Sequence, residues 1–320
     1  SIIKFFILFF LIFNISNADE NNIKYYSNDH GVLSIMYHRF DENKYPSTNI
    51  QMDVFKKQLE SIEKNNIEFY NPKDFDIQFH KPKNSKKILI TIDDAFSSFY
   101  QNAWPVLKEK EIPFILFVST EPVGKFGYMN WEEIKEVASH DFVYIGNHSH
   151  THEYLVDFIY EKFEEDINKS IKIFNDKLGY NPIFFSYPFG EYNLKQVNFI
   201  KKNFKYGFGQ HSGIIDLTKN QYELPRFPIN EKYGDLSRFE NLVKFLPLQY
   251  NSIIPKDKFL DSFNNPPEMN IEFFDEQKNL DLISCYSNEG DGWSKTNIKL
   301  IDNKLNIYFS EKFKERRGRI

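Results

Sequence analysis

Two adjacent carboxylates, Asp93 and Asp94, directly follow the apolar run Ile88–Ile92. Paired carboxylates at the end of a buried strand repel each other unless a cation or a proton intervenes. Their side chains point in different directions, so one can hold a metal while the other handles a proton. A helix N-cap with an acidic first turn at Asp94-Ala95-Phe96 is the plainer alternative. Farther along, His148, His150 and His152 fall within five positions. His148 and His152 share a face if the segment makes one helical turn, and a tight loop brings them together equally well. Two neutral imidazoles and one carboxylate, with a position left for water, form the donor set of a three-ligand catalytic zinc site; another divalent transition metal would fit the same donors. A solvent-exposed polar loop is the competing reading. A third polar cluster, Pro188-Phe189-Gly190-Glu191, follows Ile183–Tyr187, where Pro and Gly also need no function to mark a turn.

These clusters need a scaffold that brings strand ends together. Apolar runs read as strands at Val32–Tyr37, Ile88–Ile92, Phe114–Val118, Phe142–Ile145 and Ile183–Tyr187. Between and after them, amphipathic stretches read as helices at Met52–Asn65, Gln101–Lys110, Trp131–Ser139, Phe158–Leu178 and Lys195–Asn203. Strands alternating with helices imply βα units and a mainly parallel, buried sheet. Five or more such units favour a (β/α) barrel or a distorted version over an open doubly wound sheet, and active sites of such barrels form at the C-terminal strand ends. No Gly-x-Gly-x-x-Gly follows the first strand, which counts against a dinucleotide fold.

Thr91-Ile92-Asp93-Asp94-Ala95 resembles the Thr-Phe-Asp-Asp-Gly motif of the polysaccharide deacetylases, the NodB homology family or carbohydrate esterase family 4. His148-Ser149-His150-Thr151-His152 is similar to that family's His-Ser/Thr-x-x-His motif. The resemblance covers roughly residues 31–230. It implies an irregular (β/α)7 barrel, with Asp93 as general base and Asp94, His148 and His152 as metal ligands, zinc being the expected ion. Tyr187-Pro188-Phe189-Gly190-Glu191-Tyr192 is similar to the exopolysaccharide N-deacetylase branch, and the backbone N–H of Phe189 would help hold the oxyanion. Leu224-Pro225-Arg226-Phe227-Pro228 resembles a later motif whose Arg pairs with the catalytic Asp; Arg226 as a surface residue in a Pro-bracketed turn is the other reading. Two departures stand out: Ser186 replaces the Arg of the third motif, and Ala95 replaces a Gly. The family's late Leu-x-His is missing, so the general acid falls to His38, in Tyr37-His38-Arg39-Phe40, or to His211, with His38 preferred. The implied reaction is hydrolysis of N-acetyl groups on amino sugars of an exopolysaccharide or cell-envelope glycan. An O-acetyl esterase, a non-sugar amidohydrolase and an inactive carbohydrate-binding protein are the alternatives.

The bulk composition agrees with a globular enzyme. The 320 residues carry 40 basic and 45 acidic side chains, a net charge of -5, which offers no basic footprint for nucleic acid. Lys4, the apolar run Phe5–Phe13 and Ser16-Asn17-Ala18 read as a signal peptide over residues 1–18, too short to span a membrane. The mature chain would then be exported to a periplasmic or extracellular site, with no membrane span left after cleavage. Residues 19–250 form the expected deacetylase domain. Residues 251–320, punctuated by Pro255, Pro266 and Pro267, read as a small β-rich C-terminal appendage, cut short as in a fragment. Its expected strands are Met269–Phe274, Leu280–Cys285, Ile298–Ile301 and Leu305–Phe309. Cys285 is the only cysteine and is given no chemical role. Tyr128, Trp131 and Trp293 could stack on sugar rings, though most of the aromatic residues read as core.

Overall fold

The computed structural model describes residues 31–75, 86–216 and 218–320, so the signal-peptide reading of residues 1–18 lies outside the described residues. The main sheet is parallel through six neighbours: Gly31–Tyr37, Lys87–Asp93, Phe114–Val118, Val143–Asn147, Phe184–Ser186 and Tyr206–Phe208. It curls into an incomplete barrel, and one short stretch spans the gap between its outer strands. Leu224 bridges Phe208 on one side. Three residues later, Phe227–Pro228 pairs in parallel with Ile35 and Met36 of the first strand. Arg226 is therefore carried into the middle of the barrel.

Side chains alternate across a strand, so parity sorts this sheet into two faces. Ile88, Ile90 and Ile92 join the core that packs against the helices, with Phe55 and Leu59 of helix Met52–Lys64 and Ile134 and Val137 of helix Trp131–Ala138. Leu89 faces the barrel interior with Val32, Ile115, Phe117, Phe184 and Phe208. Thr91 and Asp93 continue that inward parity, as His38 continues it from Val32. Gly146 is required on the inward face: a Cβ there would lie 2.4 Å from the Phe117 ring.

Most expected elements form within two residues of their limits. The long helix runs Tyr160–Leu178 and ends on Gly179, whose φ of 80° is the left-handed C-cap that glycine adopts without penalty. The expected helix Gln101–Lys110 begins instead as a wide turn, Phe99–Ala103, and becomes α-helical only at Trp104–Glu109. Pro105, at the start of the α segment, has no N–H to donate.

The C-terminal region builds a four-stranded antiparallel sheet in the order Ser252–Ile254, Met269–Glu272, Lys304–Tyr308, Asn297–Ile301. Phe273, Cys285, Leu305 and Ile307 form its small core. The expected strand Leu280–Cys285 is absent: Leu280–Leu282 is a short 3-10 turn entered through Asn279 at φ 62°. Its alternating pattern mimics a strand, but Leu280 and Ile283 reach the core from a turn and Leu282 is left exposed. Among the described residues, no helix is long and apolar enough to cross a membrane.

Candidate active site

Asp93 is fully buried, and its partner is Arg226. The guanidinium forks onto the carboxylate, with one terminal nitrogen 2.7 Å from Oδ1 and the other 2.9 Å from Oδ2. The same nitrogens donate to Thr91 Oγ1 at 3.1 Å and Ser186 Oγ at 2.8 Å, and Nε donates to the Gly209 carbonyl at 2.9 Å. All five N–H donors of the guanidinium are thus satisfied, as a buried charge requires. Burial alone would raise the Asp93 carboxyl, but the Arg226 charge foremost, and then the Arg226 hydrogen bonds, hold it below its ordinary value. Arg226 is an interior residue rather than a surface one. Ser186, where the resembling motif has an Arg, gives the guanidinium an acceptor.

Asp94 turns the other way because its φ of 76° breaks the strand alternation. It caps no helix, since the next helical turn begins at Phe99 with Ser98 at its N-cap. Its Oδ1 lies 3.4 Å from His148 Nε2 and 3.1 Å from His152 Nε2, and the two imidazole nitrogens are 3.1 Å apart. The three residues present ligand atoms all within 4.8 Å of one another. His148 Nδ1 lies 2.7 Å from the Ser186 carbonyl. A carbonyl only accepts, so Nδ1 carries the proton and the Nε2 lone pair faces Asp94. Asp94 Oδ1 is buried with no hydrogen-bond partner. An orphaned carboxylate oxygen facing a neutral imidazole lone pair lacks a positive charge at their common focus. The donor set therefore fits a divalent transition metal held by Asp94, His148 and His152.

His148 and His152 meet through a tight loop rather than a helical turn, with Ser149 at φ 73° and His152 at φ 55°. His150 points away and bonds Thr120 Oγ1 through Nδ1 at 2.8 Å. Among the described residues, five of the ten non-glycine residues with positive φ, namely Asp94, Ala95, Ser149, His152 and Phe189, lie at this site. Such backbone costs of order 1–3 kcal/mol per residue and persists where the surroundings over-determine it. Ala95, where the resembling motif has a Gly, is itself left-handed at φ 52°.

The structure adds supporting residues that the sequence reading missed. Asp166 accepts from the His150 and Thr151 N–H groups at 2.8 and 3.1 Å and from the Thr151 hydroxyl at 2.7 Å. Asn147 accepts from Ser149 N–H and donates to Ser170 Oγ, each at 2.8 Å. Ser119 donates to the His148 carbonyl at 2.7 Å. One signal was available: Asp166 and Ser170 are polar residues four apart on the buried face of the helix that also carries Phe163, Ile167 and Phe174.

The two acid candidates separate. His38 lies within electrostatic reach of Asp94, Asp93 and His148. Burial lowers its pKa below 6.5, while both carboxylates pull the other way. His211 stands beyond Arg226 in an exposed position, and its backbone carbonyl accepts the Arg226 N–H at 2.9 Å. Phe189 occupies a left-handed turn at φ 59°, with its ring 4.8 Å from that of His152. Of the aromatic candidates, Tyr128 packs on Phe96 beside the site, Trp131 meets Phe174 edge-on, and Trp293 is exposed on the appendage.

Residues 80–206 match the family model described as polysaccharide deacetylase. The chain is 26% identical to the poly-beta-1,6-N-acetyl-D-glucosamine N-deacetylase of Staphylococcus aureus, covering 72% of this chain and 88% of the relative. It is 24% identical to a putative polysaccharide deacetylase of Bacillus subtilis, covering 61% of this chain and 70% of the relative. Among solved structures, the Streptococcus pyogenes deacetylase PplD in complex with acetate superposes with a TM-score of 0.61 at 20% identity, covering 68% of this chain and 99% of that one. IcaB from Ammonifex degensii gives 0.59 at 22% identity, covering 68% and 98%. These likenesses establish the fold as the irregular barrel expected from the strand–helix alternation.

Proposed function

The chain carries a polysaccharide deacetylase domain, and from that premise we propose that it hydrolyses N-acetyl groups on amino sugars of an exported exopolysaccharide or cell-envelope glycan. The observation that carries this reading is the orphaned Asp94 Oδ1 facing the Nε2 atoms of His148 and His152, next to an Asp93 held ionised by Arg226. A divalent cation, zinc in the first instance, held by Asp94, His148 and His152 would supply Lewis-acid activation of water and of the acetyl carbonyl. Asp93 accepts the proton that water loses as its oxygen attacks the carbonyl carbon. The Phe189 N–H donates to the oxygen that gains charge. His38 gives a proton to the amine nitrogen as the C–N bond breaks, releasing acetate and a free amino sugar. Its lowered pKa makes protonated His38 the stronger acid and the scarcer one.

The test is acetate release from a panel of N- and O-acetylated glycans. Release should stop on chelation and return with zinc. Release that persists in chelator would remove the metal from the reaction, and release from esters alone would make the protein an O-acetyl esterase. The acid assignment has its own outcome: His38→Ala should lower kcat on the order of 10²–10⁴-fold, while His211→Ala stays within about threefold of wild type. The reverse order would transfer the role to His211. Export of the mature chain belongs to the same proposal and would be read from cleavage after Ala18.

A further inference from the structure

The clearest connection between the C-terminal region and the active site runs through two arginines. Arg316 grips the Glu191 carboxylate with Nε at 3.0 Å and a terminal nitrogen at 2.7 Å from Oε2, and Arg317 Nε donates to Oε1 at 2.8 Å. Arg316 also pairs with Asp157 at 2.9 Å. Glu191 is sheltered, with 14% of its side chain exposed, so this network differs from an open surface pair, which contributes little. The guanidinium of Arg316 lies over the Tyr154 ring at 4.1 Å; Tyr154 stacks on Phe189 at 4.0 Å and 15°; and Phe189 meets His152 at 4.8 Å. Arg317 approaches the Phe189 ring at 5.8 Å. The arginines are held on either side by the appendage. Asn265 exchanges hydrogen bonds with the Phe313 backbone, and Asn288 bridges Arg319.

We propose that Arg316 and Arg317 are positioning residues of the active site, clamping the Pro188–Glu191 turn so that Phe189 stays seated against His152. The inference rests on the deacetylase reading given above, in which Phe189 N–H serves the developing oxyanion. The turn needs an external restraint because Phe189 is left-handed without being glycine, at φ 59°, a conformation of higher energy for a residue with a side chain. The appendage is on this view part of the catalytic unit. It touches no reacting atom and acts through Glu191, Tyr154 and Phe189.

The experiment uses the full chain, with R316A/R317A, E191Q and the combined triple variant. Hydrogen exchange over residues 187–193 should speed by at least about tenfold in each variant while the barrel strands keep their protection. A misplacement of about 1 Å costs on the order of 10²-fold, so kcat should fall by roughly ten- to a hundredfold. KM and zinc affinity should stay within about threefold, because the loss is confined to the transition state. E191Q added to the arginine variant should cost little more, since all three residues act as one unit. A raised KM with kcat kept would make the arginines substrate contacts and overturn the proposal. Unchanged exchange, or faster exchange with kinetics intact, would overturn it too. Wild-type protein that releases no acetate from any glycan would sink the deacetylase reading, and the exchange experiment would still decide the clamp.

Discussion

Asp93→Asn should lower acetate release by about 10³-fold while the protein keeps its full complement of zinc. The substitution preserves shape and removes the only function the carboxylate cannot share, acceptance of a proton. Metal retention is expected because the candidate ligands are Asp94, His148 and His152, and none of these contacts passes through Asp93. The substituted side chain must offer one N–H toward an Arg226 that already has only donors there, so a stability loss of about 1–3 kcal/mol should accompany the kinetic loss. Zinc content by elemental analysis, thermal unfolding and single-turnover acetate release separate these effects. Full activity in the variant would take the role of base from Asp93.

Arg226→Met should have the largest effect on stability of any single change at the site, about 3–5 kcal/mol. It strands the Asp93 carboxylate in the barrel interior and leaves Thr91, Ser186 and the Gly209 carbonyl without the donors that now reach them. Lysine would not rescue it, because one ammonium cannot reproduce the five-donor fork. Activity should also change its pH dependence in a defined direction. In the wild type, Arg226 outweighs burial and holds the Asp93 pKa down, so the base form is present above that lowered value. Without the guanidinium, the raising effect of burial gains the upper hand and the acid limb of acetate release moves to higher pH. Denaturant unfolding and a pH–rate profile check the two claims, and an unshifted acid limb would show that Arg226 does not set the ionisation of Asp93.

The parts of the site that were readable in advance share a physical cause. Asp93 and Asp94 end one apolar strand, Lys87–Asp93, and His148 and His152 follow another, Val143–Asn147, so local hydrophobic pattern placed both at strand ends. Parity then put Asp93 inside the barrel. Most of the supporting residues were less readable because they are common polar residues whose partners are distant in sequence. Asp166 is sixteen positions from His150, and Arg226 is 133 from Asp93. Leu280–Cys285 shows the opposite error, where local alternation suggested a strand and the chain instead forms a 3-10 turn at Leu280–Leu282.

By itself the sequence determined the βα alternation, the order of the strand-end motifs and the donor types of a candidate three-ligand metal site, because these depend on side-chain chemistry and short-range periodicity. Tertiary structure alone decided that Arg226 is interior, that His38 rather than His211 shares the electrostatic field of the two aspartates, and that Arg316 and Arg317 reach Glu191. Those outcomes depend on how the Leu224–Pro228 stretch closes the sheet and where the appendage packs. Such long-range contacts leave no period in the chain, since their loop-closure cost is met only once the whole barrel has formed.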